Sequence, residues 1–208
     1  MKFFRRHTIP AVRGLPDDDL CAMIATGNHR ESEAAFTELY GRYARRIHAY
    51  CVRIVTDPQD AEDVFQETFI RFHHTLRKKN GAENGEGDPP PSRNTSGLLF
   101  TIARNLCLNQ KQRNIRWKTE QVESDMLHAW DKPYEQKEMV ELITTALELL
   151  PHDYREAFVL REYDGLPYNE IAELTGASLA TAKIRVFRAK EKLRKILEPY
   201  LRDSQVND

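Results

Sequence analysis

The sequence predicts an all-α protein made of two small helical domains joined by a flexible linker. Apolar residues recur every three or four positions through most of the chain, which is the period of an amphipathic helix, and strand-like alternation is nearly absent. The period stops between Asn114 and Pro133, where charges surround isolated Trp117, Met126 and Trp130 at no regular spacing. A length of 208 residues suits one ordinary domain or two small ones.

Four helices are predicted before this break. The acidic triplet from Asp17 to Asp19 opens a short helix that caps the bundle. Asp57-Pro58 separates two long amphipathic helices, and a Gly- and Pro-rich stretch from Asn80 to Gly97 predicts an exposed loop before the last one. The predicted helices cover 17–26, about 31–55, the run from Gln59 to Leu76, and the run that begins at Leu98.

Four further helices are predicted after the break, and Pro151 is placed where the second of them begins. They cover about 135–150, 152–163, 168–175 and 179–200. The resulting organisation is a basic N-terminal extension (1–16), an N-terminal domain (17–116), a linker (117–134) and a C-terminal domain (135–203).

Charge is segregated along the chain although the formal net charge is only -1. Five basic residues and no acid occur from Arg104 to Lys118. From Ser178 to Lys195 there are seven basic residues and a single acid, Glu191. The stretch from Glu120 to Glu148 between them holds eight acids and two lysines. Two basic stretches with an acidic spacer predict two contacts along one polyanion, whereas the alternative is that these are ordinary solvated helix faces.

The stretch from Tyr168 to Val186 is typical of a helix-turn-helix. Ala172 is small where a second helix would cross, Gly176 can take the left-handed conformation of the turn, and Ser178 can cap the next helix. The basic second helix would then enter the major groove of DNA, where Arg and Lys contact guanine edges and phosphates. A helical hairpin without DNA-binding function is the alternative.

Three stretches of the chain stand out together: Leu150 to Arg194, Asp60-Ala-Glu-Asp-Val-Phe-Gln-Glu and Ile102-Ala-Arg-Asn. In that order they resemble region 4, region 2.2 and the start of region 2.4 of bacterial RNA polymerase sigma factors of the sigma-70 family, extracytoplasmic-function (ECF) group. The region 2 and region 4 motifs occur in the expected order and at the expected separation. The resemblance implies a sigma region 2 helical bundle and a sigma region 4 helix-turn-helix.

The resemblance also implies functions for particular residues. Region 2.2 would bind the clamp helices of the polymerase beta-prime subunit through Asp60, Glu62, Asp63, Gln66 and Glu67. Region 2.4 would recognise the promoter -10 element and hold the melted strand through Arg104, Asn105, Asn109, Gln110, Arg113 and Arg116. Region 4 would read the -35 element and touch the beta flap, with Ser178, Thr181, Lys183, Arg185, Phe187 and Arg188 at the DNA. The partners implied are core RNA polymerase, promoter DNA and an anti-sigma factor.

The chain departs from the family pattern at three points. Leu98 stands where the family often has a tryptophan, and the loop from Asn80 to Gly97 is longer and richer in Pro and Gly than usual. Ile184 replaces a small polar residue that the family often has near the groove. The -35 contacts of this chain therefore cannot be copied from the family.

Other functional classes fit the sequence less well. The carboxylate pairs Asp60/Asp63 and Glu138/Glu141 have a spacing that could hold Mg²⁺, but no phosphate-binding Lys or Arg is placed beside them, so we predict no enzyme activity, no cofactor and no metal. Neither His48 with Cys51 nor His73 with His74 has further ligands at a recognisable spacing.

A free-standing helix-turn-helix regulator is the stronger alternative, although it would leave the carboxylate helix and first basic helix without a purpose. No stretch approaches the roughly 18 apolar residues of a membrane span, so a cytoplasmic protein without membrane insertion is predicted. The cysteines at 21, 51 and 107 are predicted to be reduced and mostly buried.

Overall fold

The computed structural model of the protein describes residues 12–55, 57–78, 94–120 and 136–203, with side chains at 12–55, 57–77, 94–114 and 142–200. Within these ranges the chain forms eight α-helices and no strand, so the predicted all-α fold is confirmed. A π-helical turn, Val159–Tyr163, continues the sixth helix. The helices are α1 (Asp17–Thr26), α2 (His29–Ile54), α3 (Pro58–Lys78), α4 (Thr95–Glu120), α5 (Gln136–Glu148), α6 (His152–Phe158), α7 (Tyr168–Thr175) and α8 (Leu179–Asp203).

Side-chain caps fix where the long helices begin. The Oδ1 atom of Asn28 accepts hydrogen bonds from the N–H groups of Arg30 and Glu31, and Glu31 Oε2 accepts one from the N–H of Asn28 at 3.1 Å. This reciprocal cap starts α2 two residues before the predicted position. The Oδ1 atom of Asp57 caps α3 in the same way, accepting from the N–H groups two and three residues further along the chain.

Helix α4 is longer at both ends than the sequence predicted. The predicted loop over 80–97 is wrong at its end, because Asn94 caps the helix by accepting a hydrogen bond from the N–H of Gly97 at 2.5 Å. At its other end α4 runs to Glu120, into the stretch predicted as linker, because no Gly or Pro occurs from 114 to 120 to stop it. The N-terminal extension through residue 11, the rest of the loop through residue 93 and the linker from residue 121 lie outside the described residues.

The helices form two compact units that cut across α2, α3 and α4. Unit 1 comprises the described residues of 1–48 and 63–106. Asp17 joins α1 to α2 there, because its carboxylate accepts hydrogen bonds from Arg42, at 2.6 Å, and from the hydroxyl of Tyr43. Burial raises the pKa of Tyr43, and the hydrogen bond to Asp17 raises it further. The largest fully buried side chains of unit 1 are Leu20, Ile24, Leu39, Ile47, Phe72, Leu99 and Phe100.

Unit 2 comprises the described residues of 49–62 and 107–208. One hydrophobic cluster joins α5 to α8 and consists of Ala146, Leu147, Leu150, Ala189 and Leu193. Tyr50, at the end of α2, donates a hydrogen bond of 3.0 Å to Oε1 of Glu156 in α6, and both side chains are buried. Cys51 and Cys107 are buried free thiols and Cys21 is half-buried, as predicted.

Candidate nucleic-acid and polymerase interfaces

Helices α7 and α8 form the predicted helix-turn-helix. Gly176 has a φ of 66° and a ψ of 23°, the left-handed conformation that a residue with a Cβ adopts at a cost. Ser178 Oγ accepts a hydrogen bond from the N–H of Thr181 at 3.0 Å and so caps α8. Ala172 and Ala182 are both buried, which lets the two helices cross closely. The prediction of a helix-turn-helix is therefore confirmed.

Two of the predicted -35 residues belong to this cap. The hydroxyl oxygens of Ser178 and Thr181 lie 2.8 Å apart, and one donates a hydrogen bond to the other. The primary effect of both side chains in the structure is to fix the first turn of α8.

The remaining side chains of α8 are arranged around a buried stripe. Ala182, Val186, Ala189 and Leu193 form that stripe. At 3.6 residues per turn, Ile184 lies on the opposite side of the helix, with Phe187 and Arg188 on either side of it. Lys183 and Arg185 lie closer to the stripe on opposite flanks, and Lys183 is exposed whereas Arg185 is half-buried. The outermost surface of the predicted reader helix is therefore partly apolar.

Three cations of α8 contact side chains of α6 and of the π-helical turn that continues it. Arg185 Nη2 lies 2.5 Å from Asp153 Oδ2, and Lys190 Nζ lies 2.8 Å from Glu162 Oε1. Arg188 donates a hydrogen bond of 3.4 Å to the hydroxyl of Tyr154, which raises the pKa of Arg188. Exposed ion pairs typically contribute less than about 1 kcal/mol, so these contacts orient the side chains without preventing them from binding phosphate instead.

Helix α4 places four of the six predicted -10 residues on one side. Positions 105, 109 and 113 are spaced by four residues, and 116 follows within one turn, so all four are opposite the buried residue Cys107. The side chains of Asn105, Asn109 and Arg113 are exposed, whereas that of Arg116 lies outside the described residues. Arg104 and Gln110 are half-buried on the flanks of the helix. Two amides and an arginine are thus exposed on a single face.

Lys111 belongs to the first basic stretch but is turned away from this face. Burial lowers its pKa, and Arg155 lowers it further, while the carboxylates of Glu156 and Asp153 raise it. The side chain of Lys111 is therefore half-buried in the field of three charged residues of α6, apart from the exposed residues at 105, 109 and 113.

Helix α3 carries three of the five predicted polymerase-binding residues on the side away from its buried stripe: Asp63 and Gln66 are exposed there, and Glu67 is half-buried. Glu67 Oε1 accepts a hydrogen bond of 2.6 Å from Arg71 Nε. Asp60 is half-buried, and its Oδ2 accepts a hydrogen bond of 2.8 Å from Asn114 Nδ2. Glu62 is exposed on the other flank of α3. Phe69, on the same helix, is buried.

Comparison with known proteins agrees with both halves of the chain. The family model "Sigma-70 region 2" matches residues 39–116, and "Sigma-70, region 4" matches residues 140–193. The chain is 29% identical over 201 residues to the RNA polymerase sigma-H factor of Pseudomonas aeruginosa, covering 90% of this chain and 97% of that protein. It is 26% identical over 197 residues to the ECF RNA polymerase sigma-E factor of Escherichia coli, with the same coverage.

The chain belongs to the sigma-70 family, in its extracytoplasmic-function group. A solved structure agrees: the sigma factor RpoE in complex with the anti-sigma factor NepR from Bartonella quintana aligns with a TM-score of 0.59 and 25% identity, covering 78% of this chain and 96% of that one. As an ECF sigma factor, the protein binds core RNA polymerase and directs promoter recognition, DNA melting and transcription initiation. The alternative of a free-standing regulator does not account for the match to region 2.

The sigma factor also has a groove that sequence reasoning missed. It has a volume of about 610 Å³ and lies in unit 1 between α2 and α3. Two of the apolar residues that line it are exposed, Tyr40 by 40% and Ile70 by 52%. Ile70 is the one sequence signal for the groove, because it is apolar although it lies opposite the buried stripe of α3. The apolar lining of the groove consists of Phe36, Tyr40, Phe65, Phe69 and Ile70.

Histidines border this groove. The ring of His73 packs edge-on against Phe36 with centroids 5.4 Å apart. Burial lowers the pKa of His73, and the neighbouring Arg77 and His74 lower it further. The groove adjoins the carboxylate face of α3 through Gln66, so an apolar surface and an acidic surface meet on one helix.

Among the described side chains no group of three or more His, Cys, Asp or Glu residues could hold a metal ion. The pair Glu138/Glu141 lies outside the described side chains. No described helix is both long enough and apolar enough to cross a membrane.

Proposed function

We propose that the sigma factor uses three separate helix faces: α3 to bind the polymerase clamp helices, α4 to hold the melted -10 strand, and α8 to read the -35 duplex. The observation that carries the proposal is chemical. Acids and an apolar groove meet on α3, amides and an arginine are exposed on α4, and cations surround the outer side of α8. These are the chemistries suited to a basic helical partner, an unstacked strand and a duplex, respectively.

The polymerase contact is supported by the combination of charge and apolar area. Asp63, Gln66 and Glu67 supply acidic and amide groups for a basic coiled coil, and the groove beside Gln66 could accept apolar side chains of the same partner. Charge complementarity accelerates association, while buried apolar area slows dissociation.

Charge reversal tests this surface. Asp63→Lys with Glu67→Lys should weaken binding of the protein to core RNA polymerase, measured by competition against the unaltered protein in a reconstituted holoenzyme. The matched control is Asp18→Lys with Asp19→Lys, which makes the same charge change at two exposed carboxylates of α1. Equal affinity of the two variants for core would show that the α3 face is not the polymerase contact.

The -10 contact is supported by the exposed pair Asn105 and Asn109. Side-chain amides can donate to and accept from the edge of an unstacked base, and we expect Arg113 and Arg116 to contact the phosphates. Asn105→Ala with Asn109→Ala should reduce run-off transcription from a duplex promoter and binding of a single-stranded -10 oligonucleotide together. Asn169→Ala, an exposed asparagine on α7, is the control. Normal binding of the single strand by the double variant would refute the assignment.

Regulation by an anti-sigma factor is part of the proposal. The relative from Bartonella quintana was solved in complex with such a protein. We infer a partner that covers the α3 face and groove, and so competes with core polymerase. We further infer a cytoplasmic location, where the polymerase acts, and a function in binding without a catalytic step of the chain's own.

A further inference from the structure

The outermost residue of the reader helix is apolar, and this feature is unusual for a DNA-binding surface. Ile184 is 51% exposed and lies directly opposite the buried stripe of α8. Phe187, at 61% exposure, lies one turn further along the helix beside it, and Ala180 is one turn before. The residue that should project deepest into a groove therefore has no hydrogen-bonding group.

Cations flank this apolar strip on both sides. Lys183 is exposed on one flank, and Arg188 is exposed on the other. Arg185 is held against Asp153 at 2.5 Å, which draws its guanidinium toward α6. The arrangement is an apolar centre with positive flanks, which matches a major groove in which phosphates border the base edges.

In the major groove of B-DNA the C5-methyl group of thymine is the apolar feature that distinguishes one base pair from the others. We propose that Ile184 determines part of the -35 specificity of this sigma factor by packing against a thymine methyl group. The inference rests on the proposed function of α8 and deepens it by naming the contacted chemical group. It predicts a required thymine, and not merely an A·T pair, at the base step that faces the middle of the helix.

Replacing thymidine by deoxyuridine removes this methyl group and leaves base pairing and hydrogen-bonding edges unchanged. The -35 duplexes are first selected from a random library with the reconstituted holoenzyme. Each thymidine of the selected element is then replaced singly, and affinity is measured for the unaltered protein and for Ile184→Ser. At one position, deoxyuridine should lower the affinity of the unaltered protein about fourfold, which is the factor for one buried methyl-sized group. The same replacement should leave the affinity of Ile184→Ser unchanged. Ile184→Val, which keeps an apolar surface, should retain most of the effect.

Each other outcome overturns the inference in a distinct way. If the holoenzyme selects no duplex, the proposed function of α8 fails and the inference fails with it. If a sequence is selected but deoxyuridine does not change the affinity, only the inference fails. The same holds if deoxyuridine lowers the affinity of the unaltered protein and of Ile184→Ser equally. If Ile184→Ser instead weakens binding to core polymerase at unchanged deoxyuridine sensitivity, the exposed isoleucine contacts the polymerase. Because Ile184 lies opposite the core, Ile184→Ser should keep the thermal stability of the unaltered protein, which is checked by circular dichroism.

Discussion

Removing the hydroxyl of Tyr50 should destabilise unit 2 although the substitution deletes a single atom. Tyr50 is fully buried at the end of α2, and its hydroxyl donates a hydrogen bond of 3.0 Å to a carboxylate oxygen of Glu156, whose residue is 1% exposed. In Tyr50→Phe that oxygen loses a donor at a site that water cannot reach. A hydrogen bond to a charged group contributes about 1.5 to 3 kcal/mol, and leaving a buried polar group short of a partner costs a similar amount.

We therefore expect Tyr50→Phe to lower the free energy of unfolding by about 1.5 to 3 kcal/mol. Urea denaturation followed by circular dichroism at 222 nm measures the change, with the slope on denaturant concentration checked for constancy. The matched control is Tyr168→Phe, since Tyr168 is a half-buried tyrosine of the same unit whose ring contact with Arg161, at 4.6 Å, survives the loss of the hydroxyl.

The reasoning fails if Tyr50→Phe and Tyr168→Phe are equally stable. That result would mean that the carboxylate of Glu156 is satisfied without Tyr50, and that the link from the end of α2 to α6 contributes no net stability. A destabilised Tyr50→Phe with a normal Tyr168→Phe would identify the hydrogen bond, and not the general loss of a phenol, as the cause.

Three further predictions concern backbone, pH and DNA. Gly176→Ala should destabilise the protein by about 1 to 2 kcal/mol because of its positive φ, whereas Gly41→Ala inside α2 should stabilise it by up to about 1 kcal/mol; a Cβ meets open space at both, and urea denaturation measures both. Burial lowers the pKa of His152 below 6.5, so the unfolded chain binds more protons than the folded protein, and stability should fall as the pH drops below about 6.5. His152→Gln should reduce this fall, as measured by denaturation curves between about pH 7.5 and 5.5. Arg188→Ala should cost about 1 to 3 kcal/mol at one -35 position, whereas Lys192→Ala should weaken all duplexes alike and flatten the salt dependence, as measured by titration of point-mutated duplexes.

The positions of the helices could be predicted because the signals that set them are local. The turn glycine, the caps and the apolar period all act within a few residues, and α1 and α7 have the predicted bounds. The errors have the same origin. Asn28 and Asn94 are residues of a capping type, but apolar periodicity starts later than the cap, so a prediction from periodicity begins both helices too late.

The contacts that join distant segments could not be predicted, because nothing local encodes them. Tyr50 and Glu156 are 106 residues apart, and each looks unremarkable within its own helix. The groove between α2 and α3 was hidden for a related reason: Phe36 and Tyr40 have the period of core residues, and only packing determines that part of their surface stays exposed.

Charge illustrates the limit most clearly. The seven basic residues from Ser178 to Lys195 counted equally in the sequence, yet Arg185 and Lys190 lie against Asp153 and Glu162. A phosphate must compete with an internal carboxylate for these two cations, at a cost of up to about 1 kcal/mol each, while an exposed cation such as Lys183 has no such contact in the described structure to exchange. The affinity of α8 for DNA should therefore depend on fewer than seven phosphate or base contacts. Discrimination between sequences would then fall more heavily on shape and on the apolar outer strip around Ile184, a surface that a count of charges does not detect.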